Sequence, residues 1–215
     1  KDWASPLIEV IGSGNSVNNI PLTVRNYLRK SQGRFEYCSV SRGRNVADTA
    51  TAAGIPLARL ALSVVLRSGD VYLMAVFPAD RKPDLPSLKA ILGQDFVLCP
   101  PQEVNDLFPN CDPGFVPPVA EPYGLDLIRD PALDSLEEVY FSSGRADTFI
   151  HATGESFSRL HEGRASVKRI TLQEPARKPL APESQGTGGP AEKAAAEKAA
   201  AEKAAAEKAA AGKAA

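Results

Sequence analysis

The chain has 215 residues, with 25 Lys or Arg against 26 Asp or Glu, so its formal net charge is −1. This balance excludes a protein that binds nucleic acid mainly through bulk positive charge, although a local basic patch can still hold one RNA end. The hydrophobic fraction of 43% is sufficient for one ordinary domain with additional segments.

The cysteines and the distribution of apolar residues indicate the cellular compartment of the protein. Cys38, Cys99 and Cys111 form no Cys-x-x-Cys pair, which favours reduced thiols over a disulfide framework or a zinc site. No apolar run approaches the roughly 20 residues that span a bilayer, and no signal peptide is visible. We therefore expect a cytoplasmic protein with no metal and no organic cofactor. Because the chain begins at Lys1 without an initiator Met, we also expect it to be a piece of a longer protein.

Residues 1–20 are predicted to form an N-terminal arm. They contain a short apolar run followed by Gly12 and Gly14, but position 17, where a dinucleotide-binding loop needs a third Gly, is Val17. An extended segment and a connector are therefore favoured over a cofactor loop.

Helices and short strands are predicted to alternate over residues 21–172. The helices are a segment that begins after the predicted N-cap Asn19, with Leu22, Val24, Tyr27 and Leu28 on one face, then Val46–Ala53, Leu85–Leu92, Pro101–Leu107 and Ser156–Leu160. The strands are Phe35–Val40, Leu60–Leu66, Val71–Phe77, Phe96–Cys99, Leu125–Arg129, Glu138–Phe141, Thr148–His151 and Lys168–Leu172. This order predicts a mixed α/β fold, with a curved mixed sheet or a small barrel surrounded by helices.

The C-terminal part has a different composition. Residues 173–190 are rich in Pro, Gly and Ser and are predicted to be a linker. Residues 191–215 repeat Ala-Glu-Lys-Ala-Ala, which predicts a semi-rigid helical spacer. We expect this spacer to join the domain to a fused or partner module.

An ordered set of short motifs resembles a known family. The motifs are Gly54-Ile-Pro56, the strand Leu62–Leu66, Val76-Phe-Pro-Ala-Asp-Arg81, Gly114-Phe-Val-Pro-Pro118 and Leu136–Arg145, which ends in Gly144-Arg145. In this order they resemble the YbaK/prolyl-tRNA synthetase editing-domain family, over about residues 21–172. The resemblance implies a domain that hydrolyses wrongly charged aminoacyl-tRNA.

The resemblance also implies which residues form the site. Gly114, Pro117 and Pro118 correspond to a loop that presents its backbone to the aminoacyl ester, with water as the nucleophile. Gly allows close approach of the backbone, Pro fixes the loop, and oriented N–H groups stabilise an oxyanion. Arg81 and Arg145, the latter on a turn with Gly144, are expected to contact the tRNA acceptor end.

The chain departs from the family at one important position. The family carries a Lys-Thr pair on the central strand, and this pair falls on Leu62 and Ser63. Ser63 retains a hydroxyl group and is, with Gly114, a candidate catalytic residue, whereas Leu62 supplies no cation. Arg59 and Arg67 are the nearest positive side chains that can reach the site from another direction.

The histidines offer no competing site. His151 and His161 are ten residues apart, which fits no metal-ligand spacing. We expect His151 in the core or at an edge, and His161 in solvent.

The expected function is therefore that of a trans-editing deacylase for a tRNA mischarged with a small amino acid. The alternative is a non-catalytic sensor that binds tRNA or an amino acid and regulates a fused module. A third possibility is an interaction scaffold whose pocket is vestigial.

Overall fold

The computed structural model describes residues 9–11, 19–163 and 165–173; the side chains of residues 9–11, 165–167 and 172–173 are not described. The helices are α1 (Leu22–Lys30), α2 (Val46–Ala52), α3 (Leu85–Leu92), α4 (Pro101–Leu107) and α5 (Gly154–Leu160). The strands are β1 (Glu9–Ile11), β2 (Phe35–Ser39), β3 (Leu60–Ser68), β4 (Val71–Pro78), β5 (Arg81–Pro83), β6 (Val97–Leu98), β7 (Asp126–Arg129), β8 (Glu138–Arg145), β9 (Thr148–Thr153), β10 (Ala165–Val167) and β11 (Thr171–Gln173). The predicted spacer and all of the linker beyond residue 173 lie outside the described residues.

Most strands belong to one mixed sheet with the order β1-β2-β9-β8-β3-β4-β7-β10, to which β6 adds beside β3. The pairs β3–β8, β4–β7 and β7–β10 are parallel and the others are antiparallel. In the part of the chain that the structure describes, this sheet does not close on itself. The predicted mixed α/β fold is confirmed, in the form of an open sheet with helices around it.

The β3–β4 hairpin forms the centre of the sheet. It pairs Ser68 with Val71 across the predicted turn, and Ser63 with Val76 further along. The side chains of β4 from Leu73 to Pro78 are all buried, as expected for a strand covered on both faces. An uninterrupted run of apolar residues is stable in β4 because other parts of the protein pack against both faces of this strand.

The two faces of β3 pack into different parts of the core. Ala61 and Val65 join the cluster that contains Phe141 and Phe157, whereas Leu60 and Leu66 belong to clusters on the other side. Since neighbouring side chains in a strand point to opposite faces, Leu62 and Ser63 also face different sides.

One edge of β3 is left partly without a strand neighbour. β8 pairs with β3 only at Leu60 and Ala61, and β6 pairs with it only at Leu66 and Arg67. Residues 62–65 between these pairings therefore border an opening in the sheet, although the N–H of Cys99 reaches the Val65 carbonyl at 2.9 Å. This opening positions the candidate site.

The structure corrects three local expectations. Helix α1 is preceded by Pro21 with no side-chain cap, so Asn19 is not its N-cap, and Leu22 is 58% exposed although Val24, Tyr27 and Leu28 are buried as predicted. His161, expected in solvent, is 2% exposed. Its position at the end of α5 turns the ring into the core, because a helix face rather than a neighbouring charge decides where the side chain points.

Within the described residues, no helix combines the length and apolar character needed to cross a membrane.

Candidate functional site

A cavity of about 420 Å³ opens beside the uncovered edge of β3. It is lined by Ser63, Val64, Val65, Leu98, Cys99, Pro101, Val104, Asn105, Pro113, Gly114 and Val116. The two predicted catalytic residues, Ser63 and Gly114, therefore share one cavity, although 51 positions separate them in sequence. Apart from Ser63 and Asn105, the lining side chains are apolar or weakly polar, and the volume lies within the usual range of about 300–1,000 Å³ for small-molecule sites.

The loop over residues 112–118 forms one wall of this cavity and is attached at its first residue. The Asp112 N–H donates to the Gly144 carbonyl at 2.8 Å. The Asp112 carboxylate accepts from the Ala146 N–H at 2.9 Å and from the Arg145 guanidinium at 3.1 Å. Because a carboxylate with two donors is held more firmly than a neutral acceptor, Asp112 fixes the loop to the β8–β9 turn.

Three further contacts hold the middle and end of the loop. The Ser63 hydroxyl donates to the Val116 carbonyl at 2.7 Å, and the Phe115 ring is 1% exposed in the core. The Nε2 of His161 lies 2.7 Å from the Pro118 carbonyl, so Nε2 must carry the proton, since a carbonyl can only accept. The loop is thus tied to two strands and a helix.

Burial keeps the His161 ring neutral. Desolvation, opposed in part by the hydrogen bond to Pro118, lowers the pKa of His161 to about 4. Its ring also packs edge-on against Phe157, with 4.7 Å between centroids. His161 acts on the loop as a fixed hydrogen-bond donor and not as a charge.

Gly114 occupies the most exposed part of the loop in a left-handed conformation, with φ +81°. This φ favours Gly, because other residues meet a steric penalty there. Among the described residues, neither the Gly114 N–H nor the Val116 N–H has a hydrogen-bond partner. Two backbone donors of the cavity wall are therefore available to a ligand.

Gly144 is required for a different reason. It has φ +91°, and a Cβ at this position would lie 2.8 Å from Cys111 Sγ and 3.0 Å from Pro21 Cγ. Gly144 thus allows β8 to approach Cys111, just before the loop. The Gly144 carbonyl accepts the hydrogen bond from the Asp112 N–H.

The remaining predicted residues lie around the cavity and not on its wall. Pro117 and Pro118, at the end of the loop, are buried and are not among the residues that line the cavity. Arg145 donates to Asp112 and, through Nε, to the Asn19 carbonyl at 2.6 Å. Arg81 lies 3.7 Å from the buried carboxylate of Asp130 and is not among the residues that line the cavity.

Leu62, at the position of the family Lys, is half-buried and packs against the two clusters on the opposite face of β3 from Ser63. It does not line the cavity. The nearby cations are paired elsewhere: Arg59 with Glu138 at 3.1 Å and Arg67 with Glu103 at 2.9 Å. Neither replaces the family Lys at the cavity wall.

Glu103 lies on α4, the helix that contributes Pro101, Val104 and Asn105 to the cavity lining. Its carboxylate accepts from the Tyr72 hydroxyl at 3.2 Å as well as from Arg67, and it lies 3.5 Å from the Cys99 thiol. Burial, and then the hydrogen bond to Glu103, raise the pKa of Cys99. Because the thiolate is the reactive form, Cys99 serves here as an apolar wall and not as a nucleophile.

Asp112, Glu103 and His161 were not singled out from the sequence as site residues. Asp112 had a local signal, because Asp before Pro-Gly is typical of a turn that uses its own carboxylate. Glu103 and His161 had none, since the hydrogen bonds to Arg67, Tyr72 and Pro118 that give them their roles span 31 to 43 residues. Among the described residues, no three His, Cys, Asp or Glu side chains come together as metal ligands.

The family model of the aminoacyl-tRNA editing domain matches residues 41–160, more than half of the chain. The chain belongs to this family, the YbaK-type editing domains.

Solved structures agree on the fold. Hypothetical protein APE2540 has a TM-score of 0.62 at 22% identity, over 70% of this chain and 99% of that one. A candidate trans-editing enzyme for prolyl-tRNA synthetase has a TM-score of 0.60 at 20% identity, over 75% and 99%. A candidate signal transduction protein from Marinobacter aquaeolei VT8 has a TM-score of 0.58 at 22% identity, over 71% of this chain and 31% of that one. No curated protein matches the chain.

Proposed function

We propose that this domain hydrolyses the ester of a tRNA mischarged with a small amino acid. The observation that supports the proposal is the shared cavity of Ser63 and Gly114, whose wall is a rigidly held loop with two available N–H groups. Family membership supports an aminoacyl-tRNA as the ligand, and the aminoacyl end of the tRNA is the part that fits a cavity of this size.

The reaction requires little side-chain chemistry. Water attacks the ester carbonyl, the bond to the ribose oxygen breaks, and the proton lost by the water passes to that oxygen. Negative charge develops on the carbonyl oxygen, where the Gly114 and Val116 N–H groups are the donors that can stabilise it; loss of one such donor typically costs about 10²–10³ in rate. The lone pairs of Ser63 Oγ can accept a hydrogen bond from the attacking water or the substrate.

The loop anchors matter because an oxyanion site works only when its donors are fixed before the reaction. Asp112, Ser63 and His161 hold the loop at its beginning, middle and end. Pro117 and Pro118 add stiffness, because each fixes φ near −65°. On this proposal Gly144 and Arg145 support the loop through Asp112.

The apolar lining favours a small side chain. Val65, Val104, Cys99 and Leu98 offer no charged partner to a polar amino acid, and enzymes that charge tRNA separate side chains differing by one methylene by only about 1–3 kcal/mol. A second hydrolytic site that accepts the smaller product corrects such errors. Alanine, proline, cysteine and serine are the substrates to test.

The test is deacylation of labelled alanyl-, prolyl-, cysteinyl- and seryl-tRNA by the wild type and by Leu62→Lys. We expect the wild type to hydrolyse at least one of them. Leu62→Lys is expected to give no gain, because position 62 faces away from the cavity. Activity only in Leu62→Lys would mean that the cation is essential and that the wild type binds without hydrolysis.

A further inference from the structure

A second cavity, of about 590 Å³, reaches Asn110 and Arg145, next to the start of the loop. It is lined by Asn19, Ile20, Pro21, Leu22, Thr23, Arg25, Asn26, Asn110 and Arg145. Among the described residues, no Asp or Glu is part of this lining, whereas two guanidinium groups and three carboxamides are. In a chain with a net charge of −1, this is a local concentration of positive charge and hydrogen-bond donors.

Arg145 connects this cavity to the loop. Its guanidinium donates to the Asp112 carboxylate and to the Asn19 carbonyl. These two hydrogen bonds fix the orientation of the guanidinium, and the Asp112 carboxylate offsets part of its positive charge. Arg25 comes from α1 and brings a second positive charge to the same cavity. The planar guanidinium group of Arg is suited to binding phosphate oxygens.

The first turn of α1 adds to the positive electrostatic potential of this cavity. The helix contains no acidic residue in its first turn, and no side chain caps it after Pro21. Its positive end is therefore uncompensated on the side where Thr23 and Asn26 line the cavity.

The spacing between the two cavities fits a nucleic-acid strand. Asn110 lines the second cavity and Gly114 lines the first. They are four residues apart, so at most about 14 Å separates their Cα atoms. A ligand whose ester lies at Gly114 can place the sugar-phosphate groups next to it in the second cavity.

We infer that the second cavity, formed by Arg25, Asn26, Asn110 and Arg145, binds the phosphodiester groups of the RNA strand that carries the aminoacyl ester. This inference rests on the proposed function for its ligand and assigns Arg25 and Asn26 a role that the sequence motifs did not. The contacts recognise phosphate and not base edges, so they contribute affinity without sequence preference.

The experiment compares the full chain with Arg25→Ala and, as matched control, Arg29→Ala, which removes the same charge from the exposed side of α1. Each protein is assayed on an alanylated acceptor-stem minihelix and on alanyl-adenosine, which has no phosphate. For Arg25→Ala, the ratio of kcat/KM on the minihelix to that on alanyl-adenosine should fall about tenfold. Arg29→Ala should keep the wild-type ratio.

Binding of an uncharged minihelix, followed by fluorescence anisotropy from 50 to 200 mM salt, separates this inference from the proposed function. Arg25→Ala should weaken binding about tenfold and reduce the salt slope by about 0.7, even if no hydrolysis is observed. A wild type that is inactive on both substrates but shows this loss contradicts only the proposed function. The inference would be overturned if Arg29→Ala lost as much affinity for the minihelix as Arg25→Ala, or if Arg25→Ala lost none. It would also be overturned if the wild type bound adenosine monophosphate as tightly as the minihelix.

Discussion

Ser63 links the central strand to the loop through a single hydroxyl group. Its bond to the Val116 carbonyl spans 53 residues of sequence, and the alternation along β3 places it on the cavity side while Leu62 lies on the other. A polar residue between apolar neighbours in a central strand marks such a link, because a buried hydroxyl must find a partner.

Ser63→Ala should therefore affect both the loop and the reaction. The Val116 carbonyl loses its donor, which costs about 1–3 kcal/mol of stability if no water replaces it. We expect kcat/KM for deacylation to fall at least about tenfold as the loop loosens. Ser63→Thr keeps the hydroxyl and is the control; equal rates for Ala and Thr variants would contradict the assigned role.

Gly144→Ala tests the close approach of β8 to Cys111 and Pro21. A methyl group here combines a left-handed φ with contacts of 2.8 and 3.0 Å, so the free energy of unfolding should fall by about 2–4 kcal/mol. Gly69→Ala, also left-handed at φ +58° but with open space around it, should lose only about 1 kcal/mol. Urea denaturation measures both, and similar losses would show that the contact is unimportant.

At the scale of elements, the loop depends on α5 through His161. The pKa of the buried ring is lowered to about 4 from 6.5, so the unfolded chain binds a proton between these pH values and the folded chain does not. The stability that depends on the neutral ring is therefore complete above pH 6.5 and is lost as the pH falls toward 4.

This pH dependence is measurable as the free energy of unfolding in urea between pH 4 and 7.5. The wild type should lose on the order of 3 kcal/mol across this window through His161. His161→Gln offers a neutral amide donor to the Pro118 carbonyl and should show a flatter profile. Identical slopes in the two proteins would mean that His161 titrates as an exposed side chain.

Local elements were predicted well where the sequence carried a local signal. Leu85–Leu92 and Pro101–Leu107 are helices with the predicted bounds, because Pro at the start and Gly93 at the end act within a few residues. The β3–β4 hairpin follows from its turn sequence in the same way. The short strands β5 and β10 were missed, since three residues carry no readable period.

The site was predictable only in part, because its geometry depends on long-range contacts. The motif order indicated Gly114 and Ser63, which line the same cavity. It did not indicate that β3 leaves β8 after Ala61, which creates the opening. Nor did it indicate that Arg81 lies against the buried Asp130, which also accepts from Thr171 at 2.6 Å.

In the described part of the molecule, an open sheet with a gap beside β3 carries two cavities. The loop over residues 112–118 lines one of them, and the other reaches Arg145, the partner of Asp112 at the start of that loop. The first is largely apolar and the second is polar with two Arg side chains. This arrangement suits a ligand with a small apolar side chain at one end and an anionic remainder, as a tRNA charged with a small amino acid has.

On the proposed function, the ester is hydrolysed in the cavity of Ser63 and Gly114. The most direct test is the rate of release of labelled alanine from alanyl-tRNA by the wild type and by Val104→Phe, which fills the cavity from α4. We expect release by the wild type and a loss of at least about tenfold in Val104→Phe at unchanged fold, as judged by circular dichroism. A wild type without activity on any small aminoacyl-tRNA, or a Val104→Phe variant as active as the wild type, would contradict it.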